Sequence, residues 1–393
     1  MRRALLAGLT SLALGTGALQ AQVEVAFEPQ KMIPGPWKFD NFPYFTVTPN
    51  DGFMLIGRAQ YGQAADYLDR VSMARRFAIE GGLSPSGSRF VALMVDVPRL
   101  AKGWRLAADF RLERNNRFGA FDHIGLSPSL QQWDQSPEGP YARVRRLKAS
   151  ARIEVTRTLV GSLAIAASGT LSKVTWSRFD GPATVESPVP AAGPIRRLED
   201  QHDAVGRVAL VLDLRDREFE PQKGALLEGG VYAGSFGEGY TGAYAIGSGF
   251  VNPRFGTVIA ARVGGRSVSA GSPLDARYIV PAWENPLIAL GGSETHRALD
   301  IGRYAGQGVI FGSLEIRQIV VDGGDMLGIY GLAFLDVGRS FEREEFRITT
   351  EGLKVGGGLG VAIRILRANI FNITAARGPD GTCLLYTSDA ADE

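Results

Sequence analysis

The residues of this chain that could do chemistry are few and widely scattered. The three histidines, His123, His202 and His296, all fall in predicted loops, and none has the spacing of a metal-binding pair. Cys383 is the only cysteine, so a disulfide framework and a cysteine-based metal cluster are excluded. No Gly-x-Ser-x-Gly nucleophile motif occurs. We therefore expect no bound metal, no cofactor and no enzymatic activity.

Two motifs resemble sites but favour structural roles. The run 237–242 matches Gly-x-Gly-x-x-Gly, yet no helix follows it, so a glycine-rich turn between strands is expected instead of a nucleotide site. Asp213 and Asp216 resemble an acid pair, but Arg215 stands between them, which favours a structural ion network. A lipid-modifying enzyme remains a weaker alternative, because it needs a histidine on a strand beside a serine.

Charge and composition narrow the class further. Forty-three basic residues oppose 41 acidic ones, for a formal net charge of +2, and the two signs are interleaved along the chain. This distribution gives no field that would attract nucleic acid. With 45% apolar residues the chain is too hydrophobic to be disordered, and 50 glycines indicate many turns.

The first residues carry an export signal. Arg2 and Arg3 precede an apolar stretch from Ala4 to Leu14 and then small residues, which predicts a Sec signal peptide over 1–21. Residues 22–43 contain four prolines and are too few to fold alone, so they are expected to form a linker or plug segment.

The last residues have an unusual sequence. Residues 383–393, CLLYTSDAADE, resemble a translated sequencing adapter, so we interpret them as a probable non-native tail. The natural chain is then expected to continue beyond Thr382 with roughly one more strand.

Between these ends, apolar and polar residues alternate with period two. From Trp104 to Glu113 every second residue is apolar and most of the others are charged, and Leu147–Thr156 repeats the pattern. This alternation predicts strands with two unlike faces. It fits either a soluble sandwich or a membrane barrel.

Strand length favours the barrel. Several runs reach the roughly 9–11 residues that a tilted strand needs to cross a bilayer. We therefore predict an all-β, transmembrane antiparallel β-barrel over 44–382, with about 15 strands present and about 16 in the intact protein, in the outer membrane of a Gram-negative bacterium. The long connections Gly119–Pro140, Gly181–Asp203 and Ser267–Gly308 are expected outside the cell.

Three constellations between 204 and 377 have a recognisable order. The first joins Asp213, Arg215 and Asp216 to a turn ending at Gly224. The second is Gly291-Gly292 with His296-Arg297 in the longest loop, followed by a strand with Glu315 and Arg317. The third is a strand with Asp336 and Gly338. Together they resemble the BamA/TamA family of outer-membrane assembly barrels, also called the bacterial surface antigen family.

The resemblance implies a sixteen-stranded barrel whose long loop follows the eleventh strand, where the predicted strands also place it. It also implies that Arg297 enters the lumen and meets Asp336. Alternation sets Asp336 on the face opposite Leu335 and Val337, as a lumen residue requires. The family's glycine after the arginine is Ala298 here, and positive φ at that position would strain it.

Function follows from the resemblance with one departure. The segment ahead of the barrel is too short for the periplasmic POTRA modules of the family. We expect a scaffold for outer-membrane protein assembly, insertion or polypeptide translocation, in contact with outer-membrane lipids and possible partners among client polypeptides and assembly lipoproteins. The alternative is a passive pore or structural surface barrel.

Overall fold

The structure is a computed structural model that describes residues 35–48, 51–65, 69–119, 143–177, 200–236, 239–324, 327–343, 346–347, 349–365, 369–379 and 381–390. The predicted signal peptide and His123 lie outside these residues. Within them, no helix is long and apolar enough to cross a membrane.

Sixteen antiparallel strands form one sheet that curves into a barrel. In chain order the strands are β1 (Trp37–Thr48), β2 (Gly52–Ala64), β3 (Met73–Leu83), β4 (Arg89–Ala101), β5 (Trp104–Gly119), β6 (Arg143–Val160), β7 (Leu163–Ser177), β8 (Gln201–Asp213), β9 (Gly224–Ser235), β10 (Tyr240–Arg254), β11 (Thr257–Val268), β14 (Gly308–Asp322), β15 (Leu327–Phe341), β16 (Lys354–Ile365), β17 (Asn369–Gly378) and β18 (Gly381–Ala390). A short hairpin, β12 (Ile279–Val280) and β13 (Leu287–Ile288), and one helical turn, α1 (Leu274–Arg277), lie between β11 and β14. The all-β antiparallel barrel predicted from the sequence is confirmed.

The two ends of the sheet differ from the prediction. β1 begins at Trp37, so residues 37–43 of the predicted linker are strand. Pro43 lies inside β1, and proline is tolerated in a strand at the edge of a sheet. The barrel holds sixteen strands instead of about fifteen, because Gly381–Ala390, largely the suspected adapter tail, forms the last one. Its strand geometry carries no information on the origin of that sequence.

Alternation divides the wall into two chemical faces. On β3, Arg76 and Glu80 are buried inside the barrel, whereas Phe77 and Ile79 are 44% and 49% exposed on the outside. The same division runs around the barrel, as a lipid-facing exterior and a polar lumen require. His202, expected in a loop, is an exposed residue at the start of β8.

Long and short connections separate to opposite ends of the barrel. The connections 120–142, 178–200 and 269–307 follow β5, β7 and β11, respectively. Strands of odd number up to β11 all run toward the same end of the barrel. We call this the long-loop end and the other the short-turn end. The predicted grouping of the three long connections on one side agrees with this topology.

The barrel is joined weakly at one seam. β1 pairs with β2 along its whole length, from Trp37–Gln63 to Thr48–Gly52. Its other edge meets β18 at one residue pair, Val47 with Tyr386. The printed register of β1 with β18 is therefore much shorter than that of β1 with β2.

The turn between β8 and β9 supplies a test of the fold. Gly224 has φ +100°, and a Cβ there would lie 2.0 Å from the Leu214 carbonyl oxygen. We expect Gly224→Ala to lower the free energy of unfolding by about 1–3 kcal/mol or more, measured by urea titration in lipid vesicles. Gly206→Ala is the matched control, because a Cβ on this β8 glycine meets nothing within 4 Å. Equal stability of the two variants would contradict the assignment.

Candidate functional site: a loop anchored inside the barrel

The connection 269–307, called here the luminal loop, turns inward from the long-loop end and fills the lumen. Leu290, Leu299 and Val280 are fully buried. They pack in one hydrophobic cluster against inward-facing wall aromatics, which are Tyr232, Tyr240, Tyr244 and Phe311. The loop thus has an apolar core of its own on the inner wall.

Arg297 is fixed to the wall by several charge-assisted hydrogen bonds. Its backbone N–H and Nε donate to Asp336 Oδ2 at 2.8 and 2.9 Å, and Nη2 donates to Asp336 Oδ1 at 2.8 Å. Nη2 also donates to Ser313 Oγ at 2.9 Å, and Nη1 pairs with Glu315. The guanidinium lies 3.6 Å from the centre of the Phe334 ring. The structure thus brings Arg297 and Asp336 together inside the lumen.

Neighbouring predicted residues complete this anchor. Arg317 binds Glu315 at 2.5 Å, and Glu315 in turn accepts from Arg297, so two arginines share this carboxylate. Gly338 faces the loop, and a Cβ there would lie 2.4 Å from Leu290 Cδ1. The loop begins its approach at Gly291 and Gly292, with φ of +102° and +104°. A Cβ on Gly291 would lie 2.0 Å from the Asp300 carbonyl oxygen, so the chain passes there only without a side chain.

Ala298 does not have the strained, positive-φ backbone that was considered from the sequence. In the described residues, the positive-φ positions other than glycine are Glu220 and Glu284, so Ala298 has an ordinary backbone conformation. Its side chain is 2% exposed. A Cβ on Gly356 or Gly378 would lie 2.3 or 2.9 Å from the Ala298 methyl carbon. Two wall glycines therefore provide the space for the extra methyl group.

The tip of the loop reaches the short-turn end of the lumen. Glu284 there accepts from Arg215 at 3.1 Å and from Arg105 at 3.4 Å. The indole Nε1 of Trp283 donates to Thr156 Oγ1 at 2.9 Å, and its backbone N–H donates to a Glu228 carboxylate oxygen at 2.8 Å. The loop therefore spans the lumen and is held both at Arg297 and at its tip.

Asp213 and Arg215 belong to this second anchor, but Asp216 does not. Arg215 donates to both oxygens of Asp213 at 3.0 and 3.2 Å, and Arg70 approaches Asp213 within 2.9 Å. Asp216 instead accepts from the backbone N–H groups of Gln222 and Lys223 and shapes the turn. The predicted ion network is thus Asp213 with Arg215, extended by a loop residue that sequence reasoning missed.

A third contact holds the loop where it enters the lumen. Asp275 of α1 accepts from Arg146 at 2.9 Å and from Lys148 at 2.7 Å, both on β6. Arg266 of β11 donates to the carbonyl oxygens of Gly306 and Gln307. Neither residue was predicted, because a charged residue in a loop carries no local sign of a partner on a distant strand.

The buried histidine of the loop contacts the barrel wall. His296 is fully buried in the loop, and its Nε2 lies 3.3 Å from the Lys354 carbonyl oxygen. Among the residues that the structure describes, no three His, Cys, Asp or Glu side chains are grouped to hold a metal. What the arrangement does chemically is neutralise charge and fix the loop.

Comparison with known proteins bears on the fold. No protein-family model matches the chain, and no curated protein matches it. Among solved structures, BamA from Haemophilus ducreyi lacking POTRA domains 1-3 is similar with a TM-score of 0.56 and 11% identity, over 97% of this chain and 78% of that one. This chain therefore shares the β-barrel fold of that structure.

Two further structures share the fold. CdiB from Escherichia coli matches with a TM-score of 0.54 and 12% identity, over 93% of this chain and 68% of that one. CdiB from Acinetobacter baumannii matches with a TM-score of 0.50 and 12% identity, over 91% of this chain and 60% of that one. The BamA-type barrel inferred from the sequence motifs is therefore confirmed at the level of the fold.

Arg297 provides the first test of the luminal loop. Removing one partner of a buried ion pair typically costs about 3–5 kcal/mol. We expect Arg297→Ala to raise the rate of loop cleavage by a protease added at the long-loop end at least about 100-fold, since cleavage follows the population of the open loop. Arg75→Ala is the control, because Arg75 is an exposed residue of β3 that is not part of the anchor. Unchanged protection in Arg297→Ala would overturn the anchor.

Glu284 gives the site a pH dependence. The anchor at the loop tip joins four guanidiniums to four carboxylates, which are Arg70, Arg76, Arg105 and Arg215 with Asp96, Asp213, Glu218 and Glu284. Burial raises the pKa of Glu284 to about 7 from 4.5, opposed by Arg215 and reinforced by Glu218. The docked tip therefore binds a proton more tightly than the undocked tip.

The sign of this linkage fixes the expected result. Docking is favoured most below pH 4.5 and loses this contribution as the pH rises through 7. We expect hydrogen exchange of residues 281–288 to accelerate about tenfold or more between pH 5 and 8, after correction for intrinsic exchange, and less in Glu284→Gln. Glu351→Gln, an exposed glutamate between β15 and β16, should behave as wild type. Identical slopes in all three proteins would contradict the pKa assignment.

Proposed function

We propose that this chain is an outer-membrane barrel that binds outer-membrane polypeptides at the edge of β1 and assists their insertion. The observation that carries the proposal is Pro43 within β1, because a strand that holds a proline is suited to the edge of a sheet, where another strand can be added. An extended polypeptide can add to such an edge by backbone hydrogen bonding.

Pro43 supports this use of β1 independently of β18. Proline has no N–H to donate to a ladder, so it is suited to an edge strand and unsuited to the centre of a sheet. The outward side chains of β1 are also accessible, with Phe45 42% exposed and Phe39 64% exposed. A client strand at this edge would therefore meet apolar side chains.

The filled lumen favours polypeptide handling over a passive pore. The luminal loop is held at the long-loop end by Asp275, in the wall by Arg297 and at the short-turn end by Glu284. Each contact holds part of the loop inside the lumen and neutralises a charge there. Both effects reduce the passage of ions through the lumen. Assembly lipoproteins and client polypeptides are the partners that we propose for the exposed edge and turns.

Site-specific photocrosslinking with a defined client tests the proposal. The chain, folded in lipid vesicles, carries a photoreactive residue at Phe45 of β1 or, as control, at Ile79 of β3, which is 49% exposed on the outer wall. The client is a purified, urea-unfolded outer-membrane barrel. We expect crosslinking at position 45 to exceed that at 79 at least about tenfold and client folding to be faster than in empty vesicles.

Other outcomes would reject the proposal. Equal crosslinking at positions 45 and 79, with no acceleration of client folding, would remove the role of the β1 edge. A large and steady single-channel conductance would establish an open lumen and favour the passive pore instead.

A further inference from the structure

One polar side chain interrupts the apolar outer face of β1. The outward residues of this strand alternate with its lumen-facing ones and are Trp37, Phe39, Asn41, Pro43 and Phe45. Phe39 is 64% exposed and Phe45 is 42% exposed, and Asn41 is exposed between them. Asn41 is the only one of the five whose side chain both donates and accepts hydrogen bonds.

Aromatic pairs at the two ends of β1 indicate the depth of Asn41 in the membrane. Trp37 stacks on Tyr61 at the short-turn end, with ring centroids 4.8 Å apart, and Phe45 stacks on Phe53 at the other end, with centroids 5.4 Å apart. Aromatic residues of a membrane barrel concentrate at the two interfaces. Asn41 is about 13 Å along the strand from each pair, at 3.3 Å per residue. Its amide therefore lies near the middle of the hydrocarbon layer.

The barrel wall leaves this amide without a partner. The residue directly opposite Asn41 on β2 is Ala59. The wall beside it forms a groove of about 490 Å³ whose lining includes Gly57, Ala59 and Gly81, and none of these has a hydrogen-bonding side chain. Within the part of the chain that the structure describes, no group hydrogen-bonds to the Asn41 amide. Since an unbonded amide is unfavourable in hydrocarbon, its position indicates a partner that binds within the membrane.

We propose that Asn41 hydrogen-bonds to a polar side chain of the client strand that adds to β1, and that this bond sets the register of the added strand. The inference rests on the proposed function, in which a client strand binds at the edge of β1. A strand beside β1 would bring one outward side chain to about 4.5–5.5 Å from Asn41, measured between Cβ atoms. Serine, threonine, asparagine or glutamine at that position could bond to the amide.

A single polar contact can select a register that the backbone does not. The backbone hydrogen-bond pattern repeats every two residues, so registers that differ by two residues offer similar backbone bonding. An asparagine in an otherwise apolar interface favours the one register in which its amide is bonded. The clients that fit β1 best are therefore strands with one hydrogen-bonding side chain among apolar residues on the lipid-facing side.

Photocrosslinking with a client of defined sequence tests the proposal. The chain is folded in lipid vesicles with a photoreactive residue at Phe39, and mass spectrometry identifies the crosslinked client residue. The client is a small, urea-unfolded outer-membrane barrel whose last strand has one outward asparagine among apolar outward residues. The test variant is Asn41→Val, and Thr175→Val is the matched control, because Thr175 is an outward residue of β7, remote from β1.

The expected result is a change of register and of selectivity. In wild type and control we expect one dominant crosslinked client residue, which moves by two positions when the client asparagine is moved by two. In Asn41→Val the crosslinks should spread over at least two registers. The preference of wild type for this client over a client with valine in place of the asparagine should fall at least about threefold in Asn41→Val.

The other outcomes overturn the proposal or separate it from the proposed function. An unchanged register in Asn41→Val, with the client still crosslinked at Phe39, would reject the role of Asn41 alone. Absence of client crosslinks at both Phe39 and Phe45 would reject the proposed function instead. Crosslinks between two copies of this chain would identify a second copy as the partner of Asn41 and overturn the client assignment.

The stability of Asn41→Val gives an independent readout. Without client, the variant should unfold in vesicles at the same urea concentration as wild type or a higher one, because it removes an unbonded amide from hydrocarbon. A clearly lower concentration would show that the amide has a structural partner within the barrel, which would overturn the proposal.

Discussion

The ion pair between Arg297 and Asp336 is the interaction on which the interior of this barrel depends. Charged side chains that point into a narrow lumen lose most of their water, so each needs a partner of opposite sign. The wall contributes carboxylates at Asp336 and Glu315, and the loop contributes the guanidinium that satisfies both. At the loop tip the signs are reversed, since Glu284 of the loop meets Arg105 and Arg215 of the barrel. Loop and wall are therefore complementary along the lumen.

This complementarity determines where the barrel can open. A loop fixed at three depths is costly to withdraw, because each withdrawal exposes an uncompensated buried charge. β1 differs from the other strands of the wall in holding Pro43, which cannot donate a backbone hydrogen bond to a neighbouring strand. This contrast is the physical reason for proposing polypeptide binding at β1.

The strands and the inward position of Asp336 were predictable from the sequence for a physical reason, whereas its pairing with Arg297 was implied only by the resemblance to a known family. A wall with water on one side and lipid on the other imposes period two on every strand, and this pattern marked Asp336 as an inward residue. The start of β1 was not predictable, because Pro36 and Pro43 normally indicate a linker, and of the two only Pro43 lies within the strand. Glu284 was missed because its partners, Arg105 and Arg215, are remote in sequence and its loop has no period. The space for the Ala298 methyl group was not predictable either, because Gly356 and Gly378 on later strands provide it.

The two populations of arginine in this barrel show how the surroundings assign a role to one residue type. Arg207 inside the lumen pairs with Glu154, and both side chains are 2% exposed, so its charge is balanced within the fold. Arg114 on the outer wall is opposite Arg89 and near Arg145, with an amide oxygen as the shared acceptor. The acceptor named for Arg207 in the lumen is a carboxylate, whereas the acceptor shared by Arg114 and Arg145 on the outer wall is a neutral amide oxygen.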